Sequence, residues 1–313
     1  MAARRFGGML LPMGPTTTPR DAPPKPGRSR PIAQQVEGRR VVEGAGVLLR
    51  RTIASPELSH VDPFLLLDEF GSDDPDDYLP GFPSHPHRGI ETVTYMLRGR
   101  VAHRDSLGNA GVIGPGDVQW MTAGGGIIHS EMPEPGDDGG MHGFQLWVNL
   151  PRSQKMRPPR YREVLADQIP SVAGDGFAAK IVAGEALGAA GPLRAAPGSP
   201  DEIPADPLYL DVALEAGRRL DLPVAADRVA IAYAFAGTGR AGPEGTPIGA
   251  PRLVVFGDGD RVELAAGDEP LRFLLAAGRP FGEPIARGGP FVMNTRAEIA
   301  RAFEDYRNGT LVR

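Results

Sequence analysis

Glycine and proline interrupt this chain so often that long regular elements have little room: they number 42 and 33 among 313 residues. They follow no fixed period, which excludes a collagen-like rod. Between them lie short apolar runs. "GFQLWVNLP" shows the pattern: Phe144, Leu146, Val148 and Leu150 alternate with Gln145, Trp147 and Asn149. That is the two-residue period of a strand with one buried face. "GVLLRRTI", "DPFLLLDEF", "ETVTYMLRGRVAHRDS" and "GVIGPGDVQWMTAGGGIIHSEM" read as further strands and turns. "AAKIVAGEALG", "LYLDVALEAG", "RVAIAYAFAGTG", "RLVVFGDGDRVELAAG" and "LRFLLAAG" repeat the idea in the second half. Only "NTRAEIARAFEDYRNG" reads as a helix. Asn294 or Thr295 caps it, Glu298 stands near the capping-box position, and Gly309 ends it. The expected class is all-β: two sandwiches or barrels in tandem, with a short C-terminal helix. A chain of this length exceeds one ordinary core, although no long internal repeat is visible.

The N-terminal stretch is different in kind. "MAARRFGGMLLPMG" has an apolar run too short for a signal peptide. "GPTTTPRDAPPKPGRSRP" lacks the large apolar residues that would stabilise an ordered state. We expect a disordered, mildly basic tail over 1–37, a first domain over 38–155 and a second over 156–313. "NLPRSQKMRPPRYREV" leaves the last strand of the first half as an arginine- and proline-rich connection. The formal charge of −5 argues against a general nucleic-acid binder. No apolar run reaches the roughly 20 residues needed to cross a bilayer. Cysteine is absent, which excludes disulfides, thiolate metal sites and cysteine nucleophiles and fits a cytoplasmic protein.

All six histidines fall between His60 and His142, so only the first half can hold a histidine-ligated metal. His85 and His87 sit at i and i+2 and share one face of a strand, and Glu91 has the same parity. Pro86, between them, cannot donate to a ladder and marks a strand edge. His129 and Glu131 form a second i, i+2 pair after the glycine run 124–126. Together the two pairs make an N₃O set with open positions, suited to iron(II), nickel, manganese or copper and to a small ligand such as O₂. His103 and His142 lack a partner at ligand spacing and read as pocket-wall or hydrogen-bonding groups. His60 reads as a turn residue.

"GFPSHPHRGIETVTYMLRG", "HRDSLGNAGVIGPGDVQWMTAGGGIIHSEMP" and "FQLWVNLP" closely resemble the pirin family of bicupins, and "GEALG" and "GPFVMNT" match its second half. The resemblance covers about 38 to 310. It implies two cupin (jelly-roll) barrels, the first binding one metal, usually Fe(2+), through His85, His87, His129 and Glu131. Glu91 then becomes a nearby supporting group. It implies that "GPFVMNT" returns to pack on the first barrel. Gly125 stands where relatives often carry arginine, which would change what enters the pocket. The leading functional expectation is a flavonol (quercetin) 2,3-dioxygenase that uses O₂, with Glu131 taking the substrate proton. Phe82, Met121, Phe144 and Trp147 are the candidate apolar walls. The alternative is a non-catalytic iron-binding regulator of a transcription factor or metabolic enzyme. The tail and the segment Arg152 to Arg162 would then offer its protein-partner surface.

Overall fold

The computed structural model describes residues 27–136, 138–194, 198–199 and 201–312; the expected tail over 1–26 lies outside the described residues. Twelve strands lead to the end of the first half: β1 (Ile32–Glu37), β2 (Arg39–Glu43), β3 (Val47–Ile53), β4 (Phe64–Ser72), β5 (Phe82–His87), β6 (Ile90–Arg98), β7 (Arg100–Asp105), β8 (Ala110–Ile113), β9 (Val118–Thr122), β10 (Ile127–Glu134), β11 (Met141–Asn149) and β12 (Arg160–Val164). All but β1 build a seven-stranded sheet ordered β12-β9-β6-β11-β4-β3-β2, faced by a four-stranded sheet ordered β5-β10-β7-β8. The second half repeats this scheme. Arg252–Phe256, Val229–Ala236, Leu271–Gly278, Leu208–Leu214, Phe177–Ala183 and Ser171–Gly174 form its large sheet, and another four strands form the smaller one. The two expected jelly-roll barrels are present.

The strand order cuts across the expected boundaries. β1, placed in the tail from sequence, is the outer strand of the second barrel's large sheet and sets Val36 opposite Leu253. Val36 is buried, and the preceding Arg30 is buried too, donating to the carbonyls of Gly257, Ala225 and Arg228 at 2.8–3.0 Å. β12, read as linker, closes the matching edge of the first barrel on β9. Each barrel thus has an edge covered by the segment that precedes the other one, which leaves fewer unpaired backbone groups exposed. Arg157, Arg160 and Arg162 bind the carbonyls of Glu202 and Pro192 at 2.7–3.2 Å. They hold the second-barrel loop between Phe177–Ala183 and Leu208–Leu214 rather than standing free as a partner surface.

The large sheets pack against each other. Val93, Tyr95, Phe144, Leu146 and Val148 meet Tyr209, Ile231, Tyr233 and Leu274 in one buried cluster. Each side sends one phenol across: Tyr95 donates to Asp211 and Tyr233 to Glu69, both at 2.7 Å. The second barrel is filled with Ile181, Leu210, Val212, Val254, Leu264, Phe273 and Leu275. At about 1.5–3 kcal/mol per large buried side chain this packed interior stabilises the fold. The first barrel is hollow.

The C-terminal segment crosses back onto the first barrel, as expected. Ala286–Gly288 and Phe291–Met293 form a hairpin with Phe291 bridged to Arg88. The helix α1 (Arg296–Arg307) follows, with Thr295 and Glu298 forming a capping box. Buried Arg88 donates to Asp305 of α1 at 2.8 Å, to Gly125 O at 2.7 Å and to Leu311 O at 3.3 Å. Buried Lys155 gives its three donors to Gly89 O, Val292 O and Asn149 Oδ1 at 2.7–2.9 Å. Among the described residues no helix is long and apolar enough to cross a membrane.

Candidate metal centre

β5 is the edge strand of the small sheet, where Pro86 breaks no ladder. It pairs with β10 so that His129 lies opposite His85 and Ile127 opposite His87. The i, i+2 spacing points His85 and His87 the same way, and the register adds His129 from the next strand. These three imidazoles lie together: each offers one nitrogen, and those nitrogens fall within 4.8 Å of one another. The ladder then shifts between His129 and Glu131, bringing Glu131 opposite Phe82. Its Oε2 stands 4.0 Å from His129 Nε2.

The hydrogen bonding shows that this cluster is suited to a cation. His85 Nδ1 is 2.9 Å from Pro83 O and His87 Nδ1 is 3.3 Å from Pro290 O. A carbonyl can only accept, so the neutral rings carry their protons on Nδ1. Each Nε2 is then a bare lone pair, and the two face each other at 3.1 Å. Two acceptors at that distance repel. A metal ion between them, with bonds of about 2.1 Å at right angles, would set the nitrogens about 3 Å apart and turn repulsion into ligation. His129 is 2% exposed and neither ring nitrogen has a hydrogen-bond partner, an expensive state for a buried polar group unless something binds it. Burial, helped by His85, pushes His87 down to about 3. Burial also holds His129 well below its usual range. Both rings are therefore neutral ligands at pH 7. The donor set fits a divalent metal.

Glu131 is buried, and burial raises its carboxyl above the usual range. Thr94 Oγ1 lies 3.2 Å from Glu131 Oε1 and 3.0 Å from Gln145 Oε1. One hydroxyl has one proton, so one of these neighbours must donate to Thr94: Gln145 through a turned amide, or Glu131 through a held proton. Glu91 is elsewhere. The chain turns at Gly89, φ +80°, and passes from the small sheet to the large one. The parity count from His87 fails at that turn. Glu91 lies opposite Thr122 and accepts from its hydroxyl at 2.7 Å, a buried structural group.

Beside the histidines opens a cavity of about 570 Å³, lined by Phe82, Trp147, Leu49, Phe70, Tyr78 and Met141 among others. Of the four expected wall residues, Phe82 and Trp147 are there. Phe144 and Met121 are not. Phe144 has the opposite parity to Trp147 on β11 and enters the core between the barrels. Met121 packs under Ile90, Ala123, Ile127 and Val292. Gly125 is also absent from the cavity wall: it lies against Met156 and Arg157, so a missing arginine there does not alter the cavity. The site has polar members that sequence reasoning missed. Arg51 grips Asp68 through two bonds of 2.7 and 2.9 Å and reaches Glu43 at 2.6 Å, and all three line the cavity. Arg287 arrives from the C-terminal hairpin, its guanidinium 4.9 Å above the Trp147 ring. Gln145 could have been found, since it shares Trp147's parity. Nothing local marks Arg287.

The other histidines take separate positions. Buried His103 pairs with Glu163 and stacks on Tyr161 at 5.6 Å. His142 meets Glu69 at 2.8 Å on the inter-barrel side. His60 is exposed beside Ser59.

Comparison with known proteins agrees with this architecture. The family profile described as Pirin matches residues 46–148, and that described as Pirin C-terminal cupin domain matches 209–312. A pirin-like protein of Caulobacter vibrioides is 48% identical over 282 residues, covering 90% of this chain and 98% of its own. Human pirin is 42% identical over 290 residues, covering 90% and 94%. The crystal structure of a quercetin 2,3-dioxygenase from Acinetobacter baumannii superposes with a TM-score of 0.80 at 32% identity, covering 91% of this chain and 99% of that one.

Proposed function

This chain belongs to the pirin family, and on that premise we propose that it is a metal-dependent flavonol 2,3-dioxygenase of the quercetinase type. One observation carries the reading: three imidazoles converge, His85 and His87 at the wall of a cavity of about 570 Å³ with aromatic sides and His129 buried behind them with neither ring nitrogen bonded. A solved quercetin 2,3-dioxygenase with the same fold supports it.

His85, His87, His129 and Glu131 would hold the metal. Bound there, iron(II) supplies the Lewis-acid and redox chemistry by which a flavonol anion reacts with O₂, giving a depside and carbon monoxide. The rest is the work of the chain. Phe82 and Trp147 receive the flat ring system, and the buried walls keep bulk water from the reacting carbons. Glu131 takes the proton of the flavonol 3-hydroxyl, and its raised affinity for protons suits a base working near neutral pH. Thr94 orients that carboxylate, and Gln145 supplies Thr94 with a second partner that can accept or donate. His87 is fixed from behind by Pro290 O, which sets ring orientation and raises ligand basicity.

The test is direct. Iron-loaded protein is mixed with quercetin under air, and loss of flavonol absorbance and release of carbon monoxide are followed. Turnover is expected, and His85→Ala and Glu131→Ala abolish it. Absence of turnover with iron, nickel, manganese and copper alike would reject the enzyme and leave a metal-binding regulator.

A further inference from the structure

The cavity wall carries two guanidinium groups in unlike states. Arg51 is committed: Asp68 takes its Nε and Nη2, and Glu43 its Nη1. Arg287 is not. Among the described residues its one hydrogen bond runs from Nη1 to Leu65 O at 3.3 Å, and no carboxylate lies within ion-pair distance of it. It is nevertheless fixed in place. Its guanidinium sits over Trp147, 4.9 Å from the ring centre, and Trp147 in turn meets His87 edge-on at 5.0 Å. The cation is thus held against the wall next to the histidine cluster, exposed to the cavity, with most of its five donors unused. Of the acidic groups that line the cavity, Asp68 and Glu43 are bonded to Arg51 and not to Arg287. A fixed cation of this kind, with its own aromatic shelf and no carboxylate bonded to it among the described residues, is a recognition element for an anion.

We infer that Arg287 selects ligands bearing a second anionic group, a carboxylate or an ionised phenol, opposite the oxygen that enters the histidine cluster. This rests on the flavonol reading for the ring system, but the selection itself needs only an aromatic ligand in this cavity. The guanidinium fork would take the anion bidentately, a geometry that lysine does not reproduce. Ligands that are neutral at that end lose this contact and bind as apolar rings alone.

A matched pair of probes tests it: 4′-carboxy-3-hydroxyflavone and its carboxamide, nearly equal in shape and different in charge. Dissociation constants are measured without O₂, by quenching of tryptophan fluorescence, on the metal-loaded wild type, Arg287→Gln and Arg287→Lys, each checked for an unchanged melting temperature. The wild type should prefer the acid by about tenfold or more, the usual size of a charged hydrogen bond. Arg287→Gln should erase that preference and leave carboxamide binding unchanged, with Arg287→Lys in between. Equal losses for both probes in Arg287→Gln, or an undiminished preference for the acid, would overturn the inference. The same plates separate it from the proposed reaction. Acid preference lost in Arg287→Gln, with no flavonol turnover in air, keeps the anion site and rejects the dioxygenase. Turnover with no preference in the wild type does the reverse.

Discussion

Replacing Gly89 with alanine tests whether the C-terminal hairpin holds the metal-binding strand in place. Gly89 has φ +80° and follows His87 by two residues. A Cβ there would sit 2.0 Å from Val292 O and 2.9 Å from Met293 Sδ. Carbon and carbonyl oxygen approach no closer than about 3.3 Å without strain, so the hairpin must retreat by more than about 1 Å. The retreat stretches Val292 N to Arg88 O, now 3.1 Å, and Lys155 Nζ to Val292 O, now 2.9 Å. Losing two such bonds costs about 2–3 kcal/mol, more if Lys155 is left buried and unsatisfied. The left-handed backbone adds about 1 kcal/mol. The total is about 3–5 kcal/mol, a large share of ordinary domain stability. Gly188 supplies the control: its φ is +77°, but nothing lies within 4 Å of the added carbon. Gly188→Ala should therefore cost only the backbone part, about 1 kcal/mol. Urea unfolding of both variants measures the difference, and metal content after dialysis reports whether His87 has moved. Equal midpoints for the two variants would refute the claim that the hairpin is pressed against the histidine strand.

Two further outcomes are expected. Burial pushes Lys155 down to about 8, whereas an unfolded lysine titrates near 10.4. Between those values the unfolded chain holds the extra proton, so the penalty is complete below about pH 8 and fades as pH rises towards 10.4. Wild type should gain up to about 3 kcal/mol relative to Lys155→Met across that window; a difference in unfolding free energy that stays flat or shrinks with rising pH would show that Lys155 is not the cause. Glu131→Gln should retain less metal than Glu91→Gln by elemental analysis, since Glu91 is held on the large sheet by Thr122, and the opposite order would undo the ligand assignment.

Sidedness was legible in the sequence, while partnership was not. Alternation in "GFQLWVNLP" separates Gln145 and Trp147 from Phe144, Leu146 and Val148, and the structure keeps that division. What alternation cannot say is which side faces a cavity and which a second barrel, because both are apolar. Phe144 was therefore placed in the pocket wall, although it shares no face with Trp147. The histidine pairs were legible for the same local reason: two residues two apart on a strand share a face wherever the strand goes. The helix cap at Thr295 and Glu298 was equally local. Glu91 shows where such reasoning stops. Its parity with His85 and His87 is real along the chain, but Gly89 turns the strand out of one sheet and into another, and parity does not survive a change of sheet.

The features that distinguish the two barrels come from the chain's far ends. β1 pairs with residues more than 200 positions away, and Arg287, with Gly289 and Pro290, reaches a cavity whose remaining walls lie between Glu43 and Trp147. No periodicity encodes such a contact, since it depends on how two finished sheets dock. That docking also explains why one barrel is hollow. In the second, strands carry leucine, valine and phenylalanine at the inward positions, and they meet one another. In the first, the corresponding interior holds His85, His87, Glu131, Arg51, Asp68 and Gln145, which cannot close on themselves without stranding unpaired charge and lone pairs. The cavity is therefore kept open by the same polar groups that would bind metal and substrate. Emptying it of polarity, by converting those positions to leucine and valine, would remove the reason for it to exist.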